Sequence, residues 1–291
     1  MRVFITGGTG TVGSDVVRGL LDSGAEVRVL VRDAARAGVL PDGAEPASGD
    51  LNDATSLSGG MRGCDALFLL TPLSPNEVQM SLGAVRAARE AGIGKIVCLA
   101  VHRLEEAQHI PNFSSKLPAQ EAIAESGLRY VFLQPNNFFQ NDLMLKEAIL
   151  RWGVYPQPLG AAGVSRVDVR DIADAAVTAL TQDVPDGAYP LVGPDVLTGE
   201  ETAEIWSRHL GTPVRYGGDD LDAWDQQVAT MLPPWLVHDL RIMYDHFQKN
   251  GLQARPEEFD RQAVLLQHPS RRFEDFAAET AAAWKSESPA G

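Results

Sequence analysis

The chain has 291 residues, of which 44% are apolar and 22% charged, the balance of a folded globular protein and not of a disordered one. At about 100–200 residues per domain, this length predicts one large domain or a main domain with a smaller companion. The formal net charge of −14 argues against a phosphate-coating surface, so nucleic acid is excluded as a partner, while a local basic pocket for a small anion is not.

Residues 2–6 (RVFIT) form a short apolar run, residues 7–13 are glycine-rich, and Val16, Val17, Leu20 and Leu21 recur at helical spacing across 12–21. Gly24 stops that helix, and residues 26–32 (EVRVLVR) form a second run rich in β-branched side chains. Strand, glycine turn, helix and strand make a βαβ unit. Further strands are predicted at 44–47, 66–71, 95–101 and 129–134, with helices at 75–91 and 115–126 between them. This alternation predicts an α/β fold with a doubly wound parallel sheet, because each parallel crossover needs a helix to return the chain. The strand runs are nearly continuous in apolar residues, as in strands buried on both faces.

The character changes after about residue 150. Prolines cluster, all the tryptophans appear (Trp152, Trp206, Trp224, Trp235, Trp284), and helices are predicted at 168–180, 199–210 (capped by Thr198), 234–249 and 273–284. Residues 1–150 are therefore assigned to the sheet domain and 151–291 to a smaller, mostly helical lobe, with 166–182 packing back on the first domain. There is no internal repeat, and only 286–291 look frayed.

Cys64 and Cys98 can form no disulfide framework and have no zinc-like spacing, so no metal is expected and both thiols are read as reduced and structural. The opening residues lead straight into a strand, which leaves no room for a signal peptide. No apolar run reaches the ~18 residues that span a bilayer. A cytoplasmic protein without a membrane partner is the expectation.

Gly7, Gly10 and Gly13 follow G-x-x-G-x-x-G between a strand and an apolar helix. One glycine makes the tight turn, one lets backbone approach a pyrophosphate, and one lets helix and strand pack closely. The phosphates would meet the free N–H groups at the helix start, around Thr9, Thr11 and Val12. Arg32 and Asp33 end the second strand about 20 residues beyond the loop, where an acid holds the ribose of NAD and an arginine the 2′-phosphate of NADP. Arg32 comes first and Arg36 follows one helical turn on, so NADP(H) is favoured over NAD(H). The alternative is that Asp33 caps a helix and Arg32 is solvated. Gly49-Asp50-Leu51 follows the third strand, where Asp50 either meets the adenine amine or caps the next helix. Thr71-Pro72 ends the fourth strand at the sheet's carboxyl edge, where ligands bind in open α/β folds.

The glycine loop (residues 7–13), the Arg32 strand end, Gly49-Asp50-Leu51, the Lys116 region, the VDVRDIA segment at 167–173 and the RFEDF segment at 272–276 together resemble the NmrA-like family of atypical short-chain dehydrogenases. The resemblance covers essentially the whole chain. It implies a Rossmann domain binding NADP(H) and a small C-terminal lobe closing over the nicotinamide. It leaves the chemistry open among quinone and ketone reductases, isoflavone-type reductases and cofactor-sensing regulators without turnover.

The wider dehydrogenase superfamily uses a Tyr-x-x-x-Lys pair, in which lysine lowers the tyrosine pKa so that the phenol can donate a proton. Here that stretch is Asn112-Phe113-Ser114-Ser115-Lys116, with the lysine and without the tyrosine, and the strand before it runs Leu99-Ala100-Val101-His102 without the superfamily's serine. A standard Ser-Tyr-Lys mechanism is excluded. In atypical members the resemblance implies that Lys116 contacts the nicotinamide ribose and orients substrate; its alternative is a solvated first-turn lysine. His102, at the end of the fifth strand, is the candidate general acid, since an imidazole titrates near neutrality. An ordinary loop histidine is the competing reading, and His109 is a weaker candidate. His209, His238, His246 and His268 lack ligand-like spacing and read as surface or packing residues.

Gln134-Pro135-Asn136-Asn137-Phe138-Phe139 follows the sixth strand, and the resemblance implies a wall of the nicotinamide pocket. Asn137 could donate to the carboxamide or to a substrate oxygen and Phe138 could supply an apolar face, with helix capping by Asn136 or Asn137 as the alternative. Trp152, Tyr155, Trp224, Met231 and Trp235 could line a pocket for an aromatic substrate, or belong to the core.

The leading expectation is an NADPH-dependent oxidoreductase that passes hydride to a small, apolar, conjugated acceptor such as a quinone or activated ketone. A quinone needs less help from an acid, because charge develops on a delocalised ring. A non-catalytic NADP(H)-binding redox sensor that presents its second lobe to a protein, and a non-redox enzyme on the same fold, are the competing readings. The oligomeric state is open, a homodimer included.

Overall fold

The computed structural model describes residues 1–32 and 38–287. Its strands in chain order are β1 (Arg2–Ile5), β2 (Glu26–Val31), β3 (Ala44–Ser48), β4 (Ala66–Leu69), β5 (Lys95–Leu99), β6 (Arg129–Pro135), β7 (Val154–Tyr155), β8 (Gly187–Leu191) and β9 (Arg215–Tyr216). Two compact units contain them: Met1–Pro135 with Val169–Leu191 and Asp260–His268, and Asn136–Asp168 with Val192–Phe259 and Pro269–Gly291. The break drawn at residue 150 from composition falls in the structure at Pro135, where the last central strand ends.

The first unit is a seven-stranded sheet of order β3-β2-β1-β4-β5-β6-β8, parallel throughout. Strand order reverses between β1 and β4, which makes their carboxyl ends the crevice of a doubly wound fold. β1 lies between β2 and β4, with Val3 opposite both Val27 and Ala66. Its Val3, Phe4 and Ile5 are fully buried, because helices cover both faces.

On one face, helices Thr11–Asp22 and Val169–Thr181 cross so closely that a Cβ at Gly19 would sit 2.8 Å from Val177 Cγ2. Val16, Val17 and Leu20 are sealed beneath them, each worth about 1.5–3 kcal/mol of burial. On the other face, Ala84, Ala87 and Ala88 of the helix Glu77–Ala91 let it settle against a core containing Phe4, Leu67, Leu69 and Ile96.

Four elements depart from the sequence expectation. Ala54–Met61 is helical despite Gly59 and Gly60, because Gly60 admits the ring of Phe4, 2.9 Å from where its Cβ would lie. β8 carries Pro190, which an edge strand tolerates. β3 is the other edge and is largely exposed, so it lacks the two-sided burial expected of the sheet. The helix predicted from Ser115 begins at Leu117, after a separate short turn of helix at Pro111–Ser114.

The second unit is mostly helical, and β7 and β9 are its two-residue parallel pair. Its core is aromatic: Trp206 stacks on Trp284 with centroids 4.9 Å apart, and Phe139 meets Phe273 edge-on at 5.2 Å. A charged pair lies inside, with Arg166 and Asp142 both fully buried and Nη2 2.7 Å from Oδ1. Asp142 also accepts from Trp206 Nε1 at 3.0 Å and from the Tyr155 hydroxyl at 3.3 Å. Helix Gly199–Leu210 opens with a capping box between Thr198 and Glu201, as its sequence predicts.

Candidate cofactor cleft and active site

β1 leads into the glycine loop, and the loop's geometry explains Gly7 and Gly13. Gly7 has a φ of 70°, and a Cβ there would fall 2.5 Å from Leu70 Cδ2. A Cβ on Gly13 would stand 2.2 Å from the Gly7 carbonyl oxygen and 2.8 Å from Gly8 Cα, so the helix start could not lie against the loop. The Gly10 N–H donates to Gly7 O at 2.9 Å, and the Ser14 N–H to Gly10 O at 2.9 Å. Gly10 supplies no side-chain cap, which leaves the first helical N–H groups facing outward for an anion.

The loop forms one wall of a cavity of about 600 Å³, within the range of small-molecule and cofactor sites. Gly7, Thr9 and Gly10 meet Arg32, Asp50, Leu51 and Pro72 there, together with Leu70 and Met80. Seven of the residues singled out in the sequence thus converge on one cavity at the strand-order switch. The backbone cradle that a Cβ would fill, the free helix start and an arginine at the end of β2 fit a dinucleotide pyrophosphate and a phosphorylated ribose. Thr11 is exposed at the helix start, while Val12 and Gly13 are buried behind the loop. Arg36 and Asp33 lie outside the described residues.

Asp50 does not cap the following helix. Asp53 does, accepting from the Thr55 N–H at 3.0 Å, while Asp50 Oδ1 accepts from Asn52 N–H at 2.8 Å and Asn52 Nδ2 at 2.9 Å. Those bonds, with help from the Arg32 charge, hold the Asp50 carboxyl below its ordinary range. Asp50 is therefore a fixed, ionised acceptor on the cavity wall.

Lys116 is four-fifths buried, and its ammonium pairs with Glu77. Glu77 Oε1 also accepts from Thr71 Oγ1 at 2.8 Å, and Oε2 accepts from Ser115 Oγ at 2.9 Å. The solvated reading of Lys116 is corrected, and Thr71 turns its hydroxyl to Glu77. Sequence reading missed Glu77, because an acid in a first helical turn is the ordinary dipole complement; only its burial distinguishes it.

His102, the candidate general acid of the sequence, is 1% exposed. The backbone turns its N–H back to Pro135 O at 3.0 Å, which draws the residue inward. His109 is exposed. The Cys98 thiol is pushed up to about 12 by burial, and Cys64 is raised for the same reason. Both cysteines are unpaired and should resist thiol reagents at neutral pH in the folded protein, which a labelling time course with and without denaturant checks. Because the neutral thiol is the folded form, the contribution of Cys98 to stability is complete below its ordinary pKa of 9.0 and is lost as pH rises towards 12.

In the second unit, Asn137 Oδ1 accepts from Arg166 Nε at 3.1 Å. Asn136 Oδ1 accepts from the Asn137 N–H at 2.7 Å and Asn136 Nδ2 donates to Leu252 O at 2.8 Å. The three-ten turn Phe139–Leu145 has no side-chain cap, so neither asparagine caps it. Tyr155, expected on a substrate wall, is fully buried with its hydroxyl on Asp142 and Gln157, and burial raises its pKa well above the ordinary value. Trp224 is buried against Tyr244. Phe138 and Trp235 are half-buried, whereas Trp152 and Met231 are exposed.

The chain is 35% identical to an NAD(P)H azoreductase of Xenophilus azovorans over 285 residues, covering 97% of this chain and 99% of the relative. It is 32% identical to a (4-alkanoyl-5-oxo-2,5-dihydrofuran-3-yl)methyl phosphate reductase of Streptomyces griseus, covering 98% and 100%. An Escherichia coli NADPH-dependent quinone oxidoreductase, solved with NADPH, superposes with a TM-score of 0.85 at 22% identity, covering 97% of this chain and 99% of that one. The NmrA-like family model matches residues 1–265, and the chain belongs to the NmrA-like family.

Proposed function

We propose that the protein is an NADPH-dependent oxidoreductase that reduces a small, apolar, conjugated acceptor, a quinone or an activated ketone. The observation that carries this reading is the glycine cradle opening on a cavity whose rim bears Arg32. Two reductases align along nearly their whole lengths with it, which supports a reductive chemistry over a regulatory one. NADPH, when bound, supplies the hydride.

The chain's own residues bind and orient. Gly7, Thr9, Gly10, Thr11, Val12 and Gly13 hold the pyrophosphate by backbone N–H groups and the helix dipole. Arg32 and Arg36 hold the 2′-phosphate, and Asp50 and Leu51 border the adenine. Thr71 and Pro72 border the path to the nicotinamide, whose ribose Lys116 holds. Asn137 offers its amide NH₂, because Arg166 has taken its carbonyl oxygen; among the described residues nothing accepts from it. That amide is the donor for a carboxamide or a substrate oxygen, and Phe138 with Trp235 gives the acceptor ring an apolar surface. The missing tyrosine fits an acceptor that delocalises its own charge. Nucleic acid is not a partner, and among the described residues no helix is long and apolar enough to cross a membrane. The protein works in the cytoplasm, as a monomer or a homodimer.

Arg32→Ala separates the two cofactors. A phosphate held by charged hydrogen bonds is worth about 1.5–3 kcal/mol, so the variant should bind NADPH about 10- to 100-fold more weakly with NADH affinity little changed. Equal losses for both, measured by nicotinamide fluorescence titration, would remove Arg32 from the 2′-phosphate site.

A further inference from the structure

Glu77 opens the helix Glu77–Ala91 and is 2% exposed. The dipole at a helix start favours an acid, but an exposed acid would satisfy it, and taking a carboxylate out of water costs far more than the dipole returns. Its burial is compensated by the hydroxyls of Thr71 and Ser115 and by the Lys116 ammonium. Thr71 stands between Leu70 and Pro72, both of which line the large cavity. The carboxylate therefore ties the loop after β4 to the turn that carries Lys116.

Beside this pair lies a second, small cavity of about 10 Å³, lined by Glu77, Lys116, Ser81, Cys98 and Gln120. That is close to the room of one water. Gln120 is 9% exposed, and its Nε2 has no hydrogen-bond partner. A buried amide left in this way is costly, and a single water in the cavity gives it an acceptor.

We propose that Glu77 is the positioning residue of the site and that a water held at Gln120 completes its grip on Lys116. This rests on the reading of the large cavity as an NADPH cleft. A lysine ammonium has three N–H donors: Glu77 takes one, the water takes one, and the third is left for a ribose hydroxyl of the cofactor. Lys116 is thereby a fixed donor that binds the cofactor and not the proton source of the reaction, which separates its task from that of the lysine in a Tyr-x-x-x-Lys site.

The test is NADPH affinity by fluorescence titration in the wild type, Glu77→Gln, Glu77→Asp, Lys116→Met and the double variant Glu77→Gln/Lys116→Met, with thermal melts to establish folding. Glu77→Gln and Lys116→Met should each weaken NADPH about tenfold, one charged hydrogen bond's worth. The double variant should be no weaker than Lys116→Met, and Glu77→Asp, which keeps the charge, should recover part of the loss. A folded Glu77→Gln that binds like the wild type, or losses that add in the double variant, would overturn the proposal. Should Glu77→Gln alone not fold, removal of both charges restores balance, and the double variant against Lys116→Met decides: equal affinity supports the proposal and a further loss overturns it. A wild type that does not bind NADPH overturns the functional reading along with this one, whereas normal wild-type binding with an unaffected Glu77→Gln overturns this one alone. A high-resolution crystal structure should show a water within hydrogen-bond reach of Gln120 Nε2, and a dry cavity would remove it from the account.

Discussion

Gly13→Ala should abolish useful NADPH binding. The added methyl would stand 2.2 Å from the Gly7 carbonyl oxygen, 2.7 Å from Gly7 C and 2.8 Å from Gly8 Cα, and every one of these atoms is backbone. No rotamer change relieves such a contact, so the loop must move away from the helix start. The N–H groups and the loop then no longer converge on one anion. A loss of about 100-fold or more in affinity, ~2.8 kcal/mol, is expected by fluorescence titration, with a lowered melting temperature. Gly10→Ala is the control, because its Cβ would meet only Gly7 O, at 3.3 Å; its effect should be several-fold smaller. Equal effects would mean that the loop is not a close-packed cradle.

The second large effect concerns the interior of the helical unit. Asp142→Leu leaves the Arg166 guanidinium buried without its counter-charge and strips an acceptor from Trp206 and Tyr155. Breaking one side of a buried pair costs about 3–5 kcal/mol, a large share of the 5–15 kcal/mol that holds a typical protein together. The double variant Asp142→Leu/Arg166→Met, with an apolar side chain in each place, should recover much of that loss. Urea unfolding followed by tryptophan fluorescence reads both. Because Arg166 also fixes the Asn137 amide, the double variant should be stable yet impaired in turnover, a split that pure destabilisation does not produce.

The sheet and the cofactor cradle were legible in the sequence because their signals are local. A βαβ unit is written in apolar periodicity, and Gly13 is demanded by the backbone of Gly7 and Gly8 a few residues away. Arg32, Asp50, Leu51 and Pro72 were legible for a related reason: each follows a strand, and a parallel sheet gathers all its strand ends at one edge. The helix Ala54–Met61 and β8 were not, since their glycines and proline are permitted by a tertiary neighbour in one case and an edge position in the other. The active-site chemistry was less legible still. Residue type nominated His102 and Tyr155 but carries no record of burial, and both side chains are almost wholly buried. Glu77 went unnoticed because its partners Thr71, Ser115 and Lys116 lie 6, 38 and 39 residues away, a separation that leaves no periodic trace.

Hydride transfer from NADPH to a conjugated acceptor consumes reduced nicotinamide. Its most direct measurement is the absorbance of reduced nicotinamide when the purified protein is mixed with NADPH, or with NADH, and each of a panel of quinones and activated ketones. Acceptor-dependent loss of the NADPH signal is expected, faster than with NADH, reduced in Arg32→Ala and absent in Gly13→Ala. Tight NADPH binding with no turnover of any acceptor would contradict it and leave the protein a sensor of the cofactor.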